Sequence, residues 1–149
     1  GLGDVYKRQE IWESKNPWLI NKIELAKDSC GAGEFRGGLG LDLEFEMIEE
    51  TFITTVVERT KNPPWGIKDG KAGRANNVQV IKKNGDKFFM PKKSGYKLDK
   101  GDKIIFLTGG GGGYGNPKFR KIEKIENDLK QEYLSKKYVE ENFKHFKFN

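Results

Sequence analysis

The stretch Leu41–Met47, LDLEFEM, alternates without interruption. Leu41, Leu43, Phe45 and Met47 fall on one side of an extended chain, and Asp42, Glu44 and Glu46 on the other. Successive side chains of a strand point to opposite faces, so the pattern predicts a half-buried β-strand with one wet face. TFITTVVER, residues 51–59, is rich in β-branched types and predicts a second strand. With Glu49-Glu50 between the two, a hairpin is expected. VQVIKK (78–83) and KFFM (87–90) flank Asn84-Gly85-Asp86, a strong hairpin turn. Ile23–Leu25 reads as a further strand, and GYKLDKGD as a turn leading into the strand KIIFLT, 103–108.

Three loops interrupt these strands. DSCGAGEFRGGLG (28–40) holds five glycines. TKNPPWGIKDGKAGRANN (60–77) is long for a compact domain, and its Pro63-Pro64 pair removes two backbone donors. TGGGGGYGNP (108–117) puts five glycines in a row before Tyr114 and Gly115. After Pro117 the period becomes helical. Ile122, Ile125, Leu129 and Tyr133 form one apolar stripe, and Ser135 is placed to cap a second helix carrying Tyr138, Val139 and Phe143. The fold class expected is α+β and mainly β: antiparallel strands with long Gly-rich loops, then two short C-terminal helices.

The 149 residues are enough for one domain. No apolar run approaches the ~18 residues of a membrane span, and no signal peptide is visible. Residues 1–10, GLGDVYKRQE, share no period with the rest of the chain and read as a non-native leader. Residues 11–118 then form the β-rich region and 119–149 a helical tail. The first methionine is Met47, so a longer parent protein or a foreign leader is expected. Cys30 is the sole cysteine and His145 the sole histidine. One thiol makes neither an internal disulfide nor a zinc cluster, which fits a reducing cytoplasm. The net charge of +6 admits a basic, non-catalytic module that binds nucleic acid. Against it, the lysines are interleaved with acids, and Phe45 alternates with carboxylates. An orphaned fragment without activity is the third reading.

DSCGAGEFRGGLG, NPPWGIKDGKAGRANN and TGGGGGYGNP, in that order, resemble the C-terminal part of the hydantoinase B / 5-oxoprolinase family. The resemblance covers roughly residues 11–143. The sequence departs from the family's usual residues at Cys30, Glu34, Ala72, Gly109 and Asn116, where glycine, a basic residue, proline, proline and aspartate are common. The resemblance implies a subunit several times longer than this chain. It implies an ATP-binding A-type partner subunit, and use of ATP and a divalent metal to open cyclic amides such as hydantoins and 5-oxoproline; relatives carboxylate ketones. It places the metal-binding residues upstream, in a missing N-terminal part. This chain is then expected to lack the catalytic centre, to bind neither ATP nor metal itself, and to expose apolar surface.

The contact candidates lie in the three loops. Arg36, flanked by glycine, either clamps an anion or braces the loop through backbone carbonyls. Arg59 and Arg74 flank the PPWG segment and carry the same two readings. Trp65 is either a core residue or an interface anchor. Gly110, Gly111, Gly112 and Gly113 either offer bare N–H groups to an anion or a subunit, or make a tight passage where side chains would clash. No Lys-Ser/Thr follows, as a phosphate-binding P-loop requires. Tyr114 either covers a neighbour or is an ordinary half-buried aromatic. Asp28-Ser29 reads as a turn or cap, and Cys30 as a small loop residue rather than a nucleophile. Catalytic residues are not assigned.

Overall fold

The computed structural model describes residues 16–148. The expected leader, and Trp12, lie outside the described residues. Among the described residues, seven strands run in chain order: β1 Trp18–Leu25, β2 Leu41–Met47, β3 Thr51–Val56, β4 Asn77–Ile81, β5 Lys87–Phe89, β6 Lys92–Leu98 and β7 Lys103–Leu107. A 3-10 turn, Pro117–Phe119, precedes α1, Ile122–Lys130, and α2, Lys136–Asn142. The architecture is mainly antiparallel β with two short helices. One sheet has the order β1-β2-β7-β4-β5, and β3 and β6 form a second.

The compact units are interleaved along the chain. One comprises the described residues up to Ile23 with Leu43–Glu58 and Val78–Phe106; the other comprises Glu24–Asp42, Arg59–Asn77 and the chain from Leu107 onward. The helical tail thus falls in the same unit as the three loops.

In the strand unit, the alternation in β2 works as its pattern dictates. Phe45 and Met47 are buried, in a core with Ile20, Val78, Val80, Met90, Leu98 and Ile104. On the other face Lys103 Nζ lies 2.9 Å from Glu44 Oε1, and Asn21 Nδ2 donates to Glu46 Oε2 at 3.0 Å. The bond from Lys103 holds the Glu44 carboxyl below the usual carboxylate range. The Asn84-Gly85 hairpin forms between β4 and β5. Ile81 pairs with Lys87, Gly85 has φ +94°, and Asn84 Oδ1 accepts from the Asp86 N–H at 3.0 Å.

The β2–β3 hairpin does not form. β3 pairs with β6 in antiparallel register, Thr51 opposite Leu98. Ile48-Glu49-Glu50 supplies none of the positive-φ residues that a tight hairpin needs. The end of β2 is also already paired: Met47 N–H donates to Asp102 O at 2.8 Å and Gly101 N–H to Met47 O at 2.8 Å. β6 is a strand that the alternation did not announce, because most of Lys92–Leu98 is exposed. Gly95, at φ +60°, lies opposite a register shift between Ile53 and Thr55.

Candidate functional site

All nine contact candidates lie in the loop unit. There the three glycine-rich segments run side by side and bond backbone to backbone. Gly31 N–H donates to Gly111 O (2.7 Å), Gly111 N–H to Gly38 O (2.9 Å), and Gly113 N–H to Lys71 O (2.9 Å). Ile67 N–H donates to Gly113 O (2.9 Å), Gly115 N–H to Ile67 O (2.9 Å), and Arg74 N–H to Ser29 O (2.7 Å). The result is a platform made of main chain. A Cβ on Gly112 would lie 1.8 Å from Trp65 O, one on Gly37 1.9 Å from Gly111 O, and one on Gly110 2.0 Å from Ser29 O. These glycines are there because backbones touch, which is the packing reading of the run.

Alternate donors of this run are committed. Gly109, Gly111, Gly113 and Gly115 each donate within the protein, Gly109 to Asn76 Oδ1 at 2.6 Å. That leaves Gly110 and Gly112 but no two successive N–H groups of the run, whereas a phosphate cradle is built from successive ones. The bond from Gly109 is one that a proline cannot make, so glycine there gains a tether. Asn116 Oδ1 accepts from the Lys118 N–H at 3.1 Å and caps the 3-10 turn, a task that needs no negative charge.

Arg36 braces. Its Nε donates to Asp128 Oδ1 at 3.0 Å and Nη1 to Gly37 O at 3.0 Å, and its guanidinium lies 5.5 Å from the Tyr133 ring centre. Asp128, buried, takes a second guanidinium from Arg120 at 2.6 Å; Arg120 also donates to Glu34 O at 3.2 Å. The sequence reading missed Arg120 and Asp128. A signal existed for the second: Asp128 lies three residues after Ile125, on the apolar stripe of α1, and a carboxylate there needs a cation. Arg74 braces too, with Nη2 2.8 Å from Asp42 Oδ1 and 2.6 Å from Thr108 O.

Trp65 is 69% exposed, so the core reading fails for it, and the Arg59 guanidinium lies 5.8 Å from its ring centre. Tyr114 is exposed and bridges Phe35 in antiparallel register. Asp28 is a cap: its Oδ1 accepts from the Ser135 N–H at 2.7 Å, while Ser135 Oγ accepts from the Tyr138 N–H at 3.1 Å. Ser29 Oγ donates to Ala26 O at 2.6 Å.

The remaining reactive groups are structural. Cys30 is buried, burial pushes its thiol up, and the Tyr138 hydroxyl donates to the Cys30 carbonyl at 2.7 Å. His145 Nε2 lies 2.8 Å from Arg120 O. A thiol reagent is expected to label native Cys30 roughly 100-fold more slowly than the denatured chain, read by release of the chromophore; equal rates would contradict this placement. Among the described residues, no three His, Cys, Asp or Glu side chains gather as a metal site, and no helix is long and apolar enough to cross a membrane.

The sequence and the fold are similar to those of other proteins. A family model described as Hydantoinase B/oxoprolinase matches residues 6–117. An uncharacterized protein of Methanocaldococcus jannaschii is 36% identical over 135 residues, covering 91% of this chain and 24% of that protein. A putative B-type subunit of a D-/L-hydantoinase from Pseudomonas sp. strain NS671 is 29% identical over 126 residues, 83% of this chain and 21% of that protein. The crystal structure of the ATP-dependent caprolactamase from Pseudomonas jessenii matches with a TM-score of 0.76 and 25% identity, over 88% of this chain and 24% of that one. The chain thus spans about a quarter of the length of the relatives it matches. On the match over residues 6–117, the chain belongs to the hydantoinase B/oxoprolinase family.

Proposed function

We propose that this chain is the C-terminal portion of a subunit of an ATP-dependent enzyme that opens cyclic amides, and that it contributes scaffold and contact surface. The observation that carries this is the fate of its reactive groups. Cys30, His145, Asp128, Arg36 and Arg74 all make structural bonds in the loop unit. Gly109, Gly111, Gly113 and Gly115 donate to the protein itself. Such a set holds a shape, and these groups form no nucleophile–base pair among the described residues. Catalysis and nucleotide binding then belong to the rest of the subunit and to an ATP-binding A-type subunit. Support for ATP use and for a ring-opened amide comes from the relatives, one an ATP-dependent caprolactamase and another a putative hydantoinase component. A divalent metal would be bound outside this chain, and a cytoplasmic home follows from the same reading.

The isolated chain is expected to release no phosphate above background from ATP and Mg²⁺ in the presence of hydantoin, 5-oxoproline or caprolactam. Sustained turnover coupled to ring opening would overturn the proposal.

A further inference from the structure

Four large hydrophobic side chains stand on the glycine platform with no core around them. Trp65, Ile67, Tyr114 and Phe35 are 69%, 54%, 43% and 52% exposed. They are grouped. Phe35 bridges Tyr114 in antiparallel register and Tyr114 bridges Ile67 in parallel register, so these three share one face. The Phe35 and Tyr114 ring centres are 6.3 Å apart. Trp65 lies two residues before Ile67, with its carbonyl against Gly112. Gly33, Gly66, Gly112 and Gly113, which lie among them, have no side chains to cover this face. Grouped exposed apolar residues mark interaction surfaces, whereas single ones do not.

Each aromatic ring on this face carries a cation. Arg59 lies over Trp65 at 5.8 Å, Lys68 over Tyr114 at 5.4 Å and Lys124 over Phe35 at 5.4 Å. Two of these cations stand on unfavourable backbone. Arg59 has φ +53° and Lys68 φ +50°, in the left-handed region that glycine adopts most easily. A chain with 19 glycines nonetheless keeps long cationic side chains at both positions. Local strain retained in this way points to a task for the side chain.

The face is apolar in the middle and positive around it. Contact with a second copy through the same face would set its cations against themselves. Asp69 and Glu123 adjoin Lys68 and Lys124 in sequence and weaken the field that a phosphate backbone needs. We propose that this face docks an acidic protein segment whose carboxylates lie between apolar side chains. The apolar groups cover Trp65, Ile67 and Tyr114, and the carboxylates meet Arg59, Lys68 and Lys124. This inference does not depend on the catalytic reading above.

The test is fluorescence anisotropy with a labelled peptide of alternating glutamate and leucine, beside a lysine–leucine peptide and oligothymidylate. The glutamate peptide is expected to bind and to weaken with salt. Lys68→Gly and Lys124→Gln are each expected to weaken it about fivefold or more. Lys68→Gly is expected to leave Tm unchanged or to raise it, since the positive φ is relieved. The proposal is overturned if the glutamate peptide does not bind, if both variants bind it as well as the parent, or if oligothymidylate binds more tightly. It is also overturned if Lys68→Gly unfolds the chain, which would make Lys68 a structural residue.

Discussion

Gly112→Ala is expected to destabilise the chain by about 3 kcal/mol or more, in the upper range for overpacking. The added methyl would lie 1.8 Å from Trp65 O and 2.5 Å from its carbonyl carbon. Neither atom has room to retreat. The segment that carries them is tied on both sides, by Gly73 N–H to Pro64 O at 2.9 Å and Ile67 N–H to Gly113 O at 2.9 Å. Gly38→Ala is the internal control, because a Cβ there meets nothing within 4 Å. It is expected to be neutral or to stabilise by about 0.5 kcal/mol, through a less flexible unfolded chain. Denaturant midpoints of the two variants check both statements. Equal midpoints would mean that the glycine run is not close-packed.

Asp128→Asn is expected to cost about 3 kcal/mol, the scale for removing one partner from a buried ion pair. The carboxylate faces Arg120 at 2.6 Å and Arg36 at 3.0 Å, and Arg120 is 6% exposed. A neutral carboxamide leaves two guanidinium charges without an anion, one of them deep in the protein. Arg120 is the more exposed to loss: its Nε already lacks a partner among the described residues. Thermal unfolding of the variant reads the effect, and a Tm within a degree of the parent would contradict it.

Much of the strand content was legible because β2 and the β4–β5 turn carry local signals. LDLEFEM alternates, and Asn84-Gly85 meets the positive φ of its turn. β6 was not legible, because an exposed strand such as KKSGYKL has no buried face to imprint a period. The same limit applies to pairing. β2 and β3 are neighbours in sequence, but partner choice is decided by β6 and β7, which lie about 50 residues on.

The loop unit shows where local reasoning ends. That Arg36 braces rather than binds depends on Asp128, 92 residues later. That the glycines serve close approach depends on three segments meeting, which no single segment reveals. Trp65 and Tyr114 were singled out from their positions beside proline and glycine, but their exposure is a property of the assembled platform. The family resemblance supplied what spacing alone did not: three ordered loops that belong together.

The central claim is that the glycine run is packed main chain rather than a nucleotide site. Amide hydrogen exchange at Gly111 and Gly113, with and without Mg²⁺-ATP, tests it most directly. Their N–H groups donate to Gly38 O and Lys71 O at 2.9 Å, so slow exchange at both, unchanged by nucleotide, is the predicted result. Fast exchange that slows when Mg²⁺-ATP is added would show free donors capturing phosphate, and would contradict the account.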